Sequence, residues 1–361
     1  MTRRPLPLIA RTGRTAQTAS TAPHAPRPAW ARAAALPALL CLAAGATAPA
    51  QAQVDPNRML DAFEATFGKF EGFRRSGAKG VCATGEFTGS AEGRALSSSA
   101  AFSGRPVPVI ARFSVGGANP KAPDNAKSQR NMALQFNLPD GETWQMGNIS
   151  APVFGAATPE QFLGRIESLR PDPSTKAPDA AKVKAFADAN PEVTVQGRWF
   201  ASQPVPASFA AVNYWGVHGF GFVNGQGQRQ WGKWVFEPAG GTQGLSDDEA
   251  KAKGPNFLAD ELRARVAAQP VVFNFNLQLA QPGDRIDHAV TPLPDDRRKV
   301  TLGQLRITAV APDATGACVG ITYNPMVLPK GVEPSADPML AARAAPYAVG
   351  LGRRLSEGAR Q

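Results

Sequence analysis

Alternation of apolar and polar residues is the most frequent pattern along this chain. In the stretch PVVFNFNLQLA (270–280), apolar residues fall at every second position from Val271 to Leu279. This period of two is typical of a half-buried β-strand. Comparable runs are VCATGEF, VPVIARFSV, NMALQFNL, AAVNYWGVHGFGFVN, WGKWVFEP and QLRITAVA. With about eight strands and no internal repeat, the economical prediction is one antiparallel eight-stranded barrel.

Other segments have the spacing of helices. Residues 55–70 carry apolar side chains every three or four positions and predict an N-terminal helix. The stretch TPEQFLGRIESLR opens with Thr and Pro, a common helix start, and Ser246 with Glu249 has the spacing of a capping box. Residues 172–190 predict a connector with a short helix, and DPMLAARAAPYAVGLGRRLSE predicts a C-terminal helix. Helices around a barrel make the predicted class α+β.

The first 52 residues differ from the rest of the chain. They contain six arginines and no acid, then the apolar run AAALPALLCLAAGATA, and then AQA before Gln53. This order predicts a secretory signal peptide over 1–52 and a mature domain over 53–361. The apolar run is short and Ala-rich for a membrane span, so we expect a periplasmic or secreted protein without a stable membrane anchor. The alternative is a disordered basic tail.

The leader also explains most of the net charge. It holds six of the 39 basic residues, which leaves 33 basic residues against 29 acidic ones. That balance excludes the basic signature of a nucleic-acid-binding protein. An oxidising compartment permits a disulfide between the first and last barrel strands through Cys82 and Cys318, and two buried free thiols are the alternative. Two histidines, His218 and His288, remain for any metal or acid–base role.

The predicted C-terminal helix carries the most informative side chains. Arg343 and Tyr347 are four residues apart and share one helical face, and Arg354 follows about two turns later. A guanidinium favours the phenolate form of a neighbouring tyrosine, and tyrosine is an accepted axial ligand of haem iron. Arginine also pairs well with carboxylates such as haem propionates. Taken alone, the pattern also fits a basic last turn that complements the helix dipole.

A second stretch, GFRRSGAKGVCATGEF (72–87), places two arginines just before a Gly-rich approach to a strand. Two cations at such a point indicate an anionic ligand. The stretch itself holds no group suited to moving a proton.

Six segments, in order, resemble the haem catalases and, more closely, the catalase-related peroxidases. DPMLAARAAPYAVGLGRRL resembles the helix with the axial tyrosine, and FRRSGAKGVCATGEF resembles the first barrel strand. VIARFSVGG resembles the Arg-Phe-Ser segment, and QRNMALQF resembles the Arg-Gly-Met-Ala segment. WQMGNISAPVFGAATPEQFL resembles the strand of the distal asparagine, and YWGVHGFGFVN resembles the Gly-x-His-Thr-Phe strand. The resemblance spans roughly residues 55–356 and implies a catalase-like barrel that binds haem b with its iron.

The resemblance implies a role for each matching residue. Tyr347 is implied as the iron ligand, Arg343 as the cation that stabilises its phenolate, and His218 with Asp337 as the rest of this proximal network. On the opposite, distal side, Asn148 is implied to orient the peroxide, with Ser114 behind it. The other implied cofactor-binding residues are Arg74, Arg112 and Arg354 for the propionates, and Phe113, Phe154 and Phe162 around the haem and its channel. Without the resemblance, His218 and the phenylalanines are ordinary core, Arg112 is an exposed charge, and Asn148 is a turn residue.

Two positions depart from the family pattern. Gly77 stands in the place of the distal histidine, and Asn131 stands where glycine is usual. In addition, one residue is missing before Asn148 and one is added after it. Without the histidine, the general acid–base group that moves a proton between the peroxide oxygens is absent. We expect Gly77 to leave a hole large enough for water or a bulky ligand.

The resemblance implies a haem-dependent peroxidase that reduces organic peroxides or hydrogen peroxide with an unknown electron donor. Because of Gly77, we expect its activity to be weakened or altered. One alternative is a haem-binding protein without peroxidase activity, such as a haem store, a sensor or a peroxide isomerase. A barrel that binds a non-haem lipid is a third hypothesis, and it requires the Arg343–Tyr347 spacing to be accidental.

Overall fold

The computed structural model describes residues 54–358, which belong to one compact unit, Gln51–Gln361. The predicted signal peptide lies outside the described residues. The described part contains the strands β1 (Gly80–Gly89), β2 (Pro106–Val115), β3 (Arg130–Asn137), β4 (Thr143–Ile149), β5 (Val205–Pro206), β6 (Tyr214–Trp215), β7 (Phe220–Val223), β8 (Arg229–Pro238), β9 (Gly244–Leu245), β10 (Val271–Leu279), β11 (Lys299–Pro312) and β12 (Val332–Pro334).

Eight of these strands close into a barrel. Their order is β1–β2–β3–β4–β6–β8–β10–β11, and β11 pairs back with β1. Every neighbouring pair is antiparallel. The strands β7 and β12 extend the sheet from β8, and β5 pairs separately with β9. The predicted antiparallel eight-stranded barrel is therefore confirmed.

Helices complete the α+β fold. They are α1 (Pro56–Phe67), α2 (Ala91–Leu96), α3 (Pro159–Ser168), α4 (Ala180–Ala189), α5 (Val195–Ser202), α6 (Asp247–Lys253), α7 (Leu258–Ala268), α8 (Pro338–Ala341) and α9 (Ala344–Ser356). The predicted capping box of Ser246 and Glu249 is present at the start of α6. The single predicted C-terminal helix is two helices. The Asp337 side chain caps the first of them by accepting from Met339 N, and the second starts after Arg343.

Aromatic side chains fill the barrel interior. Phe87, Phe136 and Trp144 are each fully buried. The Phe87 and Phe136 rings lie 5.2 Å apart, and those of Phe136 and Trp144 lie 5.4 Å apart. Packing of this density leaves no room for a cofactor among these rings.

The structure contains a disulfide between Cys82 and Cys318. Its position differs from the prediction in one respect. Cys82 lies in β1, but Cys318 lies in the turn-rich segment after β11, so the bond holds that segment against the barrel wall rather than joining two strands. Among the described residues, no helix has both the length and the apolar character needed to cross a lipid bilayer.

Candidate active site

Strand register arranges the outer face of β1–β4 in two rows. The first outer row is Cys82, Arg112, Ala133 and Gly147, and the second outer row is Gly80, Ser114, Asn131 and Ile149. Between them lies a row that points into the barrel, made of Val81, Phe113, Met132 and Asn148. These inward side chains are at most 2% exposed. Because successive side chains of a strand point to opposite faces, the two outer rows face away from the aromatic core.

The proximal residues form one hydrogen-bonded series. His218 Nδ1 lies 2.7 Å from Asp337 Oδ2, and Arg343 Nη1 lies 3.1 Å from His218 Nε2. Arg343 also donates through Nη2 to the Tyr347 hydroxyl oxygen. Since a guanidinium only donates, Nε2 is the acceptor and Nδ1 carries the proton that is shared with Asp337. Burial lowers the pKa of His218, which favours this neutral form.

Helix α9 brings the tyrosine against β4. A Cβ on Gly147 would lie 2.9 Å from Arg343 Nη2 and 3.8 Å from the Tyr347 hydroxyl oxygen. The absence of a side chain at this position therefore lets Arg343 and the phenol approach the first outer row. Near the other end of α9, Arg354 is 1% exposed and within the electrostatic influence of Arg112 on the same row. The helix thus spans the outer face from β4 towards β2.

The three predicted propionate-binding arginines form one cluster. Burial, with the charges of Arg112 and Arg354, lowers the pKa of Arg74 to about 9. Burial and the charge of Arg112 lower the pKa of Arg354 to about 10. Arg112 pairs with the buried Asp313, Nε to Oδ1 at 2.9 Å. The cluster brings three guanidinium groups together, and guanidinium groups pair well with carboxylates.

Sequence reasoning missed a further member of this cluster, Tyr323. The side chain is 3% exposed, and its hydroxyl has no hydrogen-bond partner among the described atoms. The Arg74 guanidinium lies 5.7 Å from the Tyr323 ring centroid. Its φ of +54° is rare for a residue with a side chain. The segment around it is irregular, so no periodic pattern in the sequence signals its position.

Two residues to which the resemblance gives a role in the site point into the barrel interior. Phe113 is fully buried and packs in the core against Phe273, 6.2 Å between ring centroids. Asn148 is 1% exposed, donates to Met132 O at 3.0 Å and accepts from Trp234 Nε1 at 2.7 Å. The structure therefore does not place these two side chains with the other residues of implied haem or peroxide roles, because strand alternation turns both inward.

The remaining implied residues lie outside the barrel interior. The Phe154 and Phe162 rings are 5.2 Å apart, and the Phe154 ring lies 6.2 Å from that of His218. Ser114 belongs to the second outer row, beside Gly77. A Cβ on Gly77 would lie only 2.8 Å from Ser114 Oγ and 3.4 Å from Asn131 Nδ2. The expected hole at Gly77 is therefore contradicted, because these two side chains occupy the direction that a larger residue would need.

Comparisons with known proteins agree with this fold. The family model for catalase matches residues 73–361. A catalase-related peroxidase of Synechococcus elongatus is 43% identical over 301 residues, which are 83% of this chain and 89% of that protein. A catalase-related peroxidase of Mycolicibacterium paratuberculosis is 33% identical over 306 residues, 83% of this chain and 94% of that protein. The chain therefore belongs to the catalase family and is an enzyme of the catalase superfamily.

Solved catalases have the same fold. A bacterial catalase matches with a TM-score of 0.70 at 21% identity, over 80% of this chain and 59% of that one. Catalase A from Saccharomyces cerevisiae matches with a TM-score of 0.70 at 20% identity, over 78% of this chain and 61% of that one. The chain spans about three fifths of the length of these solved catalases.

Proposed function

We propose that this enzyme is an exported peroxidase that uses haem b and reduces organic peroxides or hydrogen peroxide with an external electron donor. The observation that carries the proposal is the hydrogen-bonded series from the buried Asp337 and His218 through Arg343 to Tyr347, both half-buried. Such a series holds the phenol oxygen against a fixed guanidinium, and a tyrosine oxygen is an accepted ligand of haem iron. Members of the catalase family typically bind haem.

The residues of the outer face fit that cofactor. In the proposal, Tyr347 would bind the haem iron through its phenol oxygen, and Arg343 would hold that oxygen in place. Arg74, Arg112 and Arg354 supply guanidinium groups of the kind that pairs well with propionates. Tyr323 contributes a buried hydroxyl that has no hydrogen-bond partner among the described atoms. When bound, the haem iron supplies the redox chemistry of peroxide reduction.

Peroxide chemistry is expected to be weakened or altered because of Gly77, on the distal side of the site, opposite Tyr347. The resemblance puts the family's distal histidine at Gly77, where a side chain is lacking. Neither histidine of the mature chain replaces it in this proposal, because His218 is committed to Asp337 and Arg343. The other one, His288, is paired with Thr291. A positioned acid–base group contributes about 10²- to 10⁴-fold to such a reaction, so slow turnover is expected.

The second candidate is a haem-binding protein without peroxidase activity, such as a haem store, a sensor or a peroxide isomerase. Gly77 favours it for the same reason. One experiment separates the two functions: purification of the mature chain with haem, an absorption spectrum, and a peroxide assay with a reducing dye. Haem binding with dye oxidation supports the peroxidase. Haem binding without turnover supports the second candidate, and no haem binding rejects both.

A further inference from the structure

The polar groups nearest to a Cβ placed on Gly77 belong to Ser114 and Asn131. Gly77 is buried and has a φ of +64°. The direction of a side chain from this backbone leads to Ser114 Oγ and then to Asn131 Nδ2, at 2.8 and 3.4 Å from the Cβ position. Ser114 and Asn131 are directly paired residues of β2 and β3, and Asn131 Nδ2 donates to Ser114 Oγ at 3.1 Å. The space beside the glycine therefore contains a serine hydroxyl and a carboxamide.

A third side chain sets the orientation of that carboxamide. Gln129 Nε2 donates to Asn131 Oδ1 at 2.5 Å. Because an amide nitrogen only donates, this contact makes Oδ1 the acceptor and turns Nδ2 towards Ser114 and Gly77. A carboxamide nitrogen has two N–H donors. Among the described residues, the structure provides one acceptor for them, Ser114 Oγ. One N–H of Asn131 thus remains available to a ligand.

The strand register puts this donor on the side where the cofactor-binding residues lie. Asn131 is two residues from Ala133, which lies between Arg112 and Gly147 in the first outer row. Helix α9 crosses that row with Tyr347 and Arg354. Asn148, in contrast, points into the barrel, where its amide group is already bonded. Of these two asparagines, only Asn131 offers an N–H on the outer face.

We propose that Asn131 is the distal hydrogen-bond donor of this enzyme, held by Ser114 and Gln129, and that it supplies an N–H to the oxygen of a peroxide or to another small anion at the iron. This inference rests on the proposed function. An amide donates a hydrogen bond but does not exchange protons near neutral pH, since it is not a titratable group there. The site therefore orients a ligand without moving its proton.

Fluoride binding tests the donor without peroxide chemistry, because fluoride accepts hydrogen bonds and is not turned over. The ferric, haem-loaded protein is titrated with sodium fluoride and followed by its absorption spectrum. Asn131→Leu keeps a similar volume but removes the donor, and we expect its Kd for fluoride to rise roughly tenfold or more, as for a lost hydrogen bond to a charged partner. The matched control is Asn137→Leu, the same change at the exposed end of β3, with an unchanged Kd.

Asn131→Asp provides a second variant in case the leucine disrupts folding. It keeps the shape and the acceptor for Gln129 but has no N–H, so we expect it also to weaken fluoride binding. If both variants load haem and bind fluoride as the wild type does, Asn131 is not the donor, and the proposed function is unaffected. If the wild type takes up no haem, the inference and the proposed function both fail.

Discussion

Arg343 donates one hydrogen bond to the Tyr347 hydroxyl oxygen and a second to His218 Nε2. One guanidinium thereby joins the phenol to the His218–Asp337 pair, which is 1% exposed or less. Asp337 also caps α8 through Met339 N. The start of the C-terminal helices and the orientation of the phenol therefore depend on the same carboxylate, so the position of the proposed iron ligand is set by the fold itself.

Removal of the Tyr323 hydroxyl should raise the stability of the apoprotein but weaken cofactor binding. Tyr323→Phe deletes a buried hydroxyl that has no hydrogen-bond partner in the described part of the chain, so the free energy of unfolding of the apoprotein should rise by about 1 kcal/mol or more. The same change should weaken haem binding several-fold. Tyr214→Phe is the control, because its hydroxyl donates to Phe209 O at 2.8 Å. In Tyr214→Phe the free energy of unfolding should fall by about 1 kcal/mol, and haem binding should be normal. Denaturant unfolding and haem titration measure both, and unchanged haem affinity in Tyr323→Phe would exclude a role in binding.

Restoring a histidine at position 77 should be costly. The φ of +64° and the 2.8 Å approach to Ser114 Oγ both oppose a side chain there, so Gly77→His should lower stability by about 1–3 kcal/mol. The gain in the rate of reaction with hydrogen peroxide should fall short of the ~10²-fold expected of a well-placed acid–base group. Gly77→His/Ser114→Ala removes the obstructing oxygen and should gain more. Stopped-flow absorbance compares the variants, and a stable single variant with the full gain would refute the predicted strain.

Glu357 ties the end of α9 to the segment that contains Arg74. It accepts from Arg75 and from Gly72 N, and the Arg75 hydrogen bond is the main reason that its pKa falls to about 2. A depressed folded-state pKa stabilises the protein above the unfolded value of about 4.5, and this contribution is lost as pH falls towards 2.

Glu357→Gln should therefore lower the free energy of unfolding by about 1–3 kcal/mol at pH 7. Between pH 4.5 and 2, the stability of this variant should fall less steeply than that of the wild type. The control is Glu333→Gln, which breaks a half-exposed pair with Arg229 and should change stability by less than about 1 kcal/mol. Urea unfolding across this pH range measures both variants. An identical pH profile for Glu357→Gln and the wild type would contradict the assigned role of Glu357.

The disulfide should matter for both stability and the arginine cluster. Arg74 Nη2 donates to Cys318 O at 2.9 Å, so the bond to Cys82 holds an acceptor of a proposed propionate-binding residue. Residues 53–361, produced in an oxidising compartment and kept without reductant, should contain no alkylatable thiol by mass spectrometry. Replacing both cysteines with alanine should lower the free energy of unfolding by about 2–5 kcal/mol and weaken haem binding. Two alkylatable thiols in the untreated protein would show that the bond does not form.

Periodicity predicted the barrel well because its strands are half-buried. The alternation from Val271 to Leu279 matches the bounds of β10, whereas β6 has only two residues and no period to detect. Asn148 shows that a residue of the type found in the family does not identify a site unless the face of the strand on which it lies is also considered. Trp144, Met146 and Asn148 alternate on one face of β4, and the first two are apolar, so the inward direction of Asn148 was implicit in the same pattern.

Other features of the site had no periodic signal. Tyr323 lies in an irregular segment, and its place beside the arginines depends on a left-handed backbone conformation and on the adjacent disulfide. The left-handed backbone of Gly77 and the approach of Asn131 to it depend on contacts between β2, β3 and the segment before β1. Such contacts are tertiary, so neither propensity nor spacing along the chain predicts them.

The most direct test of the central claim is the absorption spectrum of the haem-loaded protein with and without the Tyr347 hydroxyl. The wild type should bind ferric haem with the spectrum of a phenolate ligand and should resist reduction. Tyr347→Phe should lose haem or show a different ligand set. Tyr214→Phe, a phenol lost inside the barrel, should retain the wild-type spectrum. A Tyr347→Phe variant with haem content and spectrum equal to those of the wild type would contradict the assignment of Tyr347 as the iron ligand.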